Sequence, residues 1–326
     1  MADIKKLQQL FLDYLEENPW NQAPSGLYEP VNYIMQLGGK RLRPVLVLLA
    51  YDLFRDDVKK ALPVAMAVEI FHNFTLVHDD IMDAAPLRRG MPSVHTKYDI
   101  NTGILSGDVM LIDCYEYLLK VNASQRLKQL VSIFNKVAIK VCEGQQYDID
   151  FEKRTDVTIE EYVEMIKRKT ATLIAGSLAL GATTAEAPEE DIQHLSAFGE
   201  NIGIAFQMQD DYLDTFGDPQ KVGKKTGGDI IQNKKTFLIL KAMALAAPAQ
   251  RRQLETYFSG THFDETEKVE RLTLILHQLN IPKLTLQIKQ QYQDEAFRHL
   301  DAIHAARPEG IATLRELSLS LIGREA

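Results

Sequence analysis

Two acidic stretches constrain this chain more tightly than its overall composition does. His78–Gly90 reads HDDIMDAAPLRRG, with carboxylates at Asp79, Asp80 and Asp83 followed by Arg88 and Arg89. Phe206–Asp214 reads FQMQDDYLD, with Asp210, Asp211 and Asp214 at the same spacing, and a basic loop carrying Lys224, Lys225 and Lys234 follows. Helix residues four apart lie about 6 Å along the axis and about 40° around it, so Asp79 and Asp83 project side by side, as do Asp210 and Asp214. Carboxylates grouped in this way repel, and at least one is driven towards protonation unless cations lie between them. An all-oxygen donor set suits a hard divalent cation. One or two carboxylates per ion leave positions for water and phosphate oxygens, the coordination that magnesium prefers. The nearby arginines and lysines then point to a highly anionic ligand, since a metal cluster alone needs no further positive charge and the arginine fork matches phosphate oxygens.

Composition narrows the class. With 326 residues, 45% of them hydrophobic, the chain can bury a large core. A formal net charge of -8 argues against a nucleic-acid binder, so polyanion binding has to be local. The two cysteines, Cys114 and Cys142, form no CxxC and no metal-ligand spacing, which excludes a disulfide framework and a zinc site and fits a reducing cytoplasm. The N-terminal MADIKKLQQLFLDYLEENPW lacks the apolar centre of a signal peptide, and no apolar run approaches the ~20 residues that span a bilayer.

Along the chain the pattern predicts helix after helix. Residues 4–17 form an amphipathic helix with Ile4, Leu7, Leu10, Phe11 and Leu15 on one face. Trp20–Pro30 reads as a loop and a helix starts at Val31. GGKRLRP, Gly38–Pro44, is either a helix C-cap with solvated basic residues or a clasp of three cations for a diphosphate. Pro44–Phe54 is apolar all round, as in a buried helix, and 61–83 is one long helix that puts His72, Thr75, Leu76 and Asp79 on a common face. Met91–Asn101 is a loop or short helix. In the helix Ile104–Val121 an apolar stripe of Met110, Leu111, Cys114, Tyr117 and Leu118 suits core or subunit packing. Ser132–Gln146 is helical and leads to Gln145, Gln146 and Asp148, a possible site wall. Thr158 and Glu161 form a capping box for the next helix, where Lys169 and Thr170 mark the turn from a charged to an apolar half. A helix from Pro188–Asp191 runs to the second acidic stretch, and the Gly/Lys-rich loop 217–229 is either a solvated loop or a lid. Helices at 236–247, 249–258, 264–279 and 281–305 follow. No convincing strand, repeat or linker is present, so the expectation is an all-α fold of about a dozen helices in one domain spanning 1–326.

Two DDxxD stretches about 130 residues apart, the first followed by RRG, the second by GDP and a lysine loop, with GGKRLRP upstream, together resemble the trans-isoprenyl diphosphate synthases, the polyprenyl synthetase family, over nearly the whole chain. The resemblance implies an isoprenoid synthase fold, a homodimer, and both acidic stretches lining a central cavity. It implies Mg2+, three ions per site, with Asp79, Asp83 and Asp210 as ligands and Asp80, Asp211 and Asp214 completing the two catalytic clusters. Arg88, Lys169, Lys224 and Lys234 would hold an allylic diphosphate. Lys40, Arg43, His72 and Arg89 would hold isopentenyl diphosphate, and Thr170 and Gln207 would lie near the reacting carbons. Many relatives end in a basic tail; this chain ends LIGREA, with Arg324 as its one cation, and no role is assigned there.

That chemistry accounts for the residue types. Breaking the allylic carbon–oxygen bond leaves a carbocation and a diphosphate whose growing charge metal, arginine and lysine stabilise. Water would quench the cation, so the site should be apolar and closed. Product length should follow how far the tail runs from Asp79 past small Thr75, with Phe71 and Phe74 as bulky neighbours. An aromatic at Phe74 without a second at Thr75 resembles synthases of twenty-carbon geranylgeranyl diphosphate, with farnesyl diphosphate as the alternative. A terpene cyclase would more often carry an NSE-type second motif, and a non-catalytic partner subunit would commonly lose one or both acidic clusters.

Overall fold

The computed structural model describes residues 3–121, 126–218, 226–259 and 263–323. They fall into two compact units, Met1–Ala138 with Leu173–Ser196 and Ala302–Leu314, and Ile139–Thr172 with Ala197–Asp301 and Arg315–Ala326. In chain order the first part reads α1 (Ile4–Glu16), α2 (Ser25–Gln36), α3 (Leu42–Asp52), α4 (Leu62–Met82), α5 (Val94–Lys97), α6 (Ile100–Leu119) and α7 (Leu127–Lys153). There follow α8 (Ile159–Ile166), α9 (Thr172–Thr184), α10 (Glu189–Phe216), α11 (Gly228–Ile231), α12 (Phe237–Leu245), α13 (Pro248–Ser259), α14 (Glu265–Gln278), α15 (Ile281–Asp301) and α16 (Glu309–Ile322). The all-α expectation holds.

In the first unit α4 packs on α3 and α6. It is buried on nearly every side, from Leu62 and Val64 through Ile70, Phe71 and Phe74 to Val77, and this explains why its sequence carries no clean amphipathic stripe. The stretch Val58–Met82 is in fact long and apolar enough to cross a membrane by length and composition, contrary to the expectation for apolar runs, yet 72% of its most apolar window is buried within the protein. Phe134 on α7 closes this core edge-on against Phe71 and Tyr115, with ring centroids 5.4 and 5.3 Å away, the offset geometry that aromatic quadrupoles favour. Of the predicted apolar stripe of α6, Met110, Cys114, Tyr117 and Leu118 are buried and Leu111 is half-buried; on another face of the helix Leu105, Ile112 and Leu119 are 58%, 61% and 56% exposed.

In the second unit Tyr162, Met165 and Ile166 of α8 pack with Ile204 and Met208 of α10 and Phe237 of α12. The capping box forms as read, with Thr158 accepting the Glu161 amide and Glu161 accepting the Thr158 amide.

Several boundaries differ from expectation. The segment read as a loop up to Pro30 is already helical from Ser25, because a proline in the first two turns forfeits one internal hydrogen bond and here its ring is buried. The α7 helix is longer than read, and α16 carried no sequence prediction. A short antiparallel ladder, β1 (Leu87–Arg88) with β2 (Met91–Pro92), pairs Leu87 with Pro92 and Arg88 with Met91 where no strand was expected. Two paired residues are too few for alternation to register.

Phe134→Ala removes the ring that both neighbours lean on and should lower the unfolding free energy by about 3–5 kcal/mol in urea titrations. A loss under about 1 kcal/mol would mean that the core does not depend on this ring.

Candidate active site

The first acidic cluster ends α4, in the first unit. Asp80, in the middle of it, is fully buried and gripped by Arg88, whose Nε donates to both carboxylate oxygens at 3.0 and 3.1 Å and whose Nη2 donates to Oδ1. Asp79 is partly exposed and Asp83, just past the helix end, is exposed. The reason is angular: Asp79 and Asp83 lie about 40° apart around the helix and Asp80 about 100° from Asp79, so the middle carboxylate faces a different environment.

The β1–β2 turn explains the RRG sequence. Arg89 and Gly90 both have positive φ, 54° and 79°, as a mirror-image two-residue hairpin turn requires. The turn separates the arginines: Arg88 reaches Asp80 and Arg89 donates through Nη1 to the Gly38 carbonyl. Gly39 has φ 122°, and a Cβ there would lie 3.0 Å from the Arg89 guanidinium carbon, so the glycine pair admits both the backbone path and the arginine.

The GGKRLRP cations separate as well. Arg41 is buried; its Nη1 donates to Glu69 Oε1 at 2.6 Å and its Nη2 to the Met35 carbonyl. It holds the left-handed φ of 47°, a conformation costing about 1–2 kcal/mol in a non-glycine residue. Asn73 donates to the carbonyl of Glu69 and approaches its carboxylate at 3.3 Å. Of the three cations Arg41 is thus committed to Glu69, Lys40 is exposed, and Arg43 donates through Nη1 to His72 Nε2 at 3.1 Å. Arginine has no acceptor, so Nε2 of His72 carries a lone pair and its proton resides on Nδ1. Burial first, then Arg43, Arg89, Arg41 and Arg88, push the His72 pKa well below its ordinary value; burial also lowers Arg43 to about 10.

The second cluster ends α10, in the second unit, and repeats the pattern with different partners. Asp211, its middle member, is buried. Its Oδ2 accepts the Tyr162 hydroxyl at 2.5 Å and its Oδ1 accepts the Gln207 amide at 2.9 Å. Burial, and next the neighbouring Asp229, raise Asp211 to about 7. Asp214 accepts the Asp229 backbone N–H at 2.9 Å. The Asp229 carboxylate is itself raised, by burial and by Asp214, and lies 3.5 Å from Lys234. Gln207 accepts the Thr170 hydroxyl at 3.0 Å, and Lys169 pairs with Asp148. The sequence-predicted Lys169, Thr170, Gln207, Asp210, Asp211, Asp214 and Lys234 thus belong to one helix-end neighbourhood. Lys224 and Lys225 lie outside the described residues, as does Arg324.

Four participants were not assigned from sequence. Arg41 and Glu69 look like ordinary charged residues until their burial is known, and Tyr162 reads as core. Asp229 follows two glycines, one of them Gly227 with φ 85°, which was the available signal. Among the described residues no three carboxylate, imidazole or thiol groups already converge as a metal centre. The donor chemistry nonetheless fits a hard divalent cation, since each cluster leaves two carboxylates one helical turn apart and magnesium needs one or two, with water and phosphate supplying the rest.

An all-α protein with two such helix-end clusters, each set among arginines or lysines, has the architecture of an enzyme that handles diphosphates. The family model for polyprenyl synthetase matches residues 24–276. The chain is 37% identical over 301 residues to the geranylgeranyl diphosphate synthase of Saccharolobus solfataricus, covering 91% of this chain and 90% of that one. It is similar to a crystal structure of a geranylgeranyl pyrophosphate synthase at 43% identity and TM-score 0.94, with 100% of both chains covered. It also resembles the polyprenyl synthase of Caulobacter crescentus solved in complex with calcium and isoprenyl diphosphate, at 27% identity and TM-score 0.84, covering 100% and 95%. The chain belongs to the polyprenyl synthetase family and is a prenyltransferase.

The His72 environment gives a signed pH dependence. An unfolded histidine gains a proton below about pH 6.5 whereas folded His72 stays neutral to much lower pH, so stability falls as the solution is acidified, by up to about 1.4 kcal/mol per pH unit. His72→Gln, which keeps an acceptor for Arg43, should remove that part of the slope in urea titrations between pH 7 and 5. Equal slopes for both proteins would mean that His72 is protonated in the folded state.

Proposed function

We propose that this chain condenses isopentenyl diphosphate with an allylic diphosphate, head to tail, in the presence of Mg2+, and that its product is geranylgeranyl diphosphate. The observation that carries the reading is the repeated division of labour in the acidic clusters: the middle aspartate is buried and tied inward while its two neighbours, one turn apart, stay more exposed. Bound magnesium, in the three-ion set that the family resemblance implies, would neutralise charge on the departing diphosphate. Asp79, Asp83 and Asp210 would hold it, with Asp214 and Asp229 beside the second cluster.

The chain's own residues orient and shield. Lys169 and Lys234, with Lys224, draw the allylic diphosphate oxygens and stabilise the charge that grows there as the carbon–oxygen bond breaks. Arg88 adds to them while remaining locked on Asp80. Lys40, Arg43 and Arg89, with neutral His72 as a hydrogen-bond partner, hold the second diphosphate. The double bond of isopentenyl diphosphate then supplies the electron pair for the new carbon–carbon bond, and the departing diphosphate takes the proton released. Thr170 and Gln207 direct their dipoles toward the cation.

Product length is assigned to the α4 face below Asp79. The Thr75 hydroxyl donates to the His72 carbonyl at 2.8 Å, so its methyl group is what meets a passing tail. Phe74 is drawn aside against His78 and Phe71, with centroids 4.8 and 5.6 Å away, and forms the floor with Phe71.

We further propose that the chain works as one catalytic domain, in the cytoplasm, as a homodimer. The exposed Leu105, Ile112 and Leu119 recur every seven residues and form one apolar stripe about 21 Å long on α6. A second copy of this stripe is the occupant proposed to cover it.

The purified protein with magnesium, isopentenyl diphosphate and either dimethylallyl or farnesyl diphosphate should yield a twenty-carbon product on chromatography. Asp79→Ala and Asp210→Ala should each cut turnover by about a thousandfold or more with unchanged helical circular dichroism. Near-normal activity in both variants would sink the metal-site assignment, and a product that stops at fifteen carbons would move the floor above Thr75. In sedimentation, Ile112→Lys should dissociate the dimer; an unshifted dimer would place the interface elsewhere.

A further inference from the structure

Helices α8 and α9 are one continuous helix interrupted by a single wide turn, Lys167–Ala171, of π-helical geometry. The amide of Thr172 bonds to the carbonyl of Lys167, five residues back, and the Thr172 hydroxyl reaches the same carbonyl at 2.9 Å. Such a turn holds one residue more than an α-turn, so the backbone swells outward where it occurs. Lys169 and Thr170 both ride on the swelling.

The neighbouring helices are shaped to receive it. On α7, Gly144 meets the swollen backbone so closely that a Cβ there would lie 2.7 Å from Lys169 Cα. On α10, a Cβ at Gly203 would lie 2.6 Å from Ala171 Cβ and closer still to its Cα. Both are overlaps with backbone or a methyl stub, which cannot swing away. One turn beyond each glycine, on the same face of its helix, stands the residue that binds the displayed side chain: Asp148 for Lys169 and Gln207 for Thr170. The same pairing thus occurs twice, a glycine admitting the backbone and the residue four further on engaging the side chain. Glycine inside a helix costs stability relative to alanine, and a wide turn forgoes regular α hydrogen bonding. Two such glycines around one irregular turn are accounted for by what the turn presents.

We propose that Gly144 and Gly203 are positioning residues of the prenyl transfer reaction: they make room for the π-turn, which aims Lys169 at the allylic diphosphate and Thr170, through Gln207, at the reacting carbons. The inference rests on the proposed roles of Lys169 and Thr170. Deleting Arg168 removes the extra residue and lets α8 and α9 run on as one α-helix with both outer faces kept in phase.

The test compares Gly203→Ala, Gly144→Ala, Thr172→Val and the Arg168 deletion with Lys169→Ala and Thr170→Ala, in the full chain. Each turn variant should lower kcat by about tenfold or more, with the KM for isopentenyl diphosphate within about twofold; the two alanine variants should also lower the melting temperature, whereas Thr172→Val should leave it little changed. Adding Thr170→Ala to the deletion should cause no further loss, a non-additivity that a purely structural role would not produce. Should an alanine variant fail to fold, Thr172→Val and the deletion carry the same comparison. Wild-type kcat in the deletion or in Thr172→Val, alongside impaired Lys169→Ala and Thr170→Ala, overturns the role of the turn and leaves the reaction assignment standing. Near-normal turnover by Lys169→Ala and Thr170→Ala removes the roles on which the inference rests.

Discussion

Three carboxylates at positions i, i+1 and i+4 of a helix cannot all face the same way. The first and last share a side and the second lies about a quarter-turn away. Each helix end therefore needs a protein partner for its middle aspartate, because a buried carboxylate without one would be driven to protonate or to unfold its surroundings. The chain supplies Arg88 to Asp80 and the Tyr162–Gln207 pair to Asp211. Those anchors set which side of each helix end the outer aspartates present, the kind of preorganisation that electrostatic catalysis requires.

The two anchors are not equivalent. Arg88 brings a full positive charge to Asp80 through a near-bidentate grip. Asp211 has neutral donors and an acidic neighbour, and its pKa rises to about 7. One cluster is charge-compensated from within, and the other retains an electrostatic deficit that an external cation would relieve. The cationic side shows the same economy. Of the arginines around His72, Arg41 is spent on the buried Glu69 and fixes the loop, while Arg43 reaches His72 itself.

Much of this was legible in the sequence because it is local. The 3.6-residue period marked the helices, the Thr158–Glu161 spacing marked a cap, and the doubled DDxxD marked the outer aspartates as neighbours. What was illegible was set by partners distant in sequence. Arg41 meets Glu69 28 residues away, and Tyr162 meets Asp211 49 residues away. The β1–β2 ladder is too short for periodicity, and the one-residue slip of the π-turn falls where the helix pattern is already changing from charged to apolar.

The sequence by itself determined an all-helical chain, two acidic helix ends, and the arginines and lysines that accompany them, since spacing along a helix dictates which side chains share a face. Tertiary structure alone decided which aspartate of each trio turns inward, which of the GGKRLRP cations is buried in an ion pair, and where Lys169 and Thr170 point. Those choices depend on burial and on which distant group arrives to complete a hydrogen bond, and neither is encoded in the periodicity of a single segment.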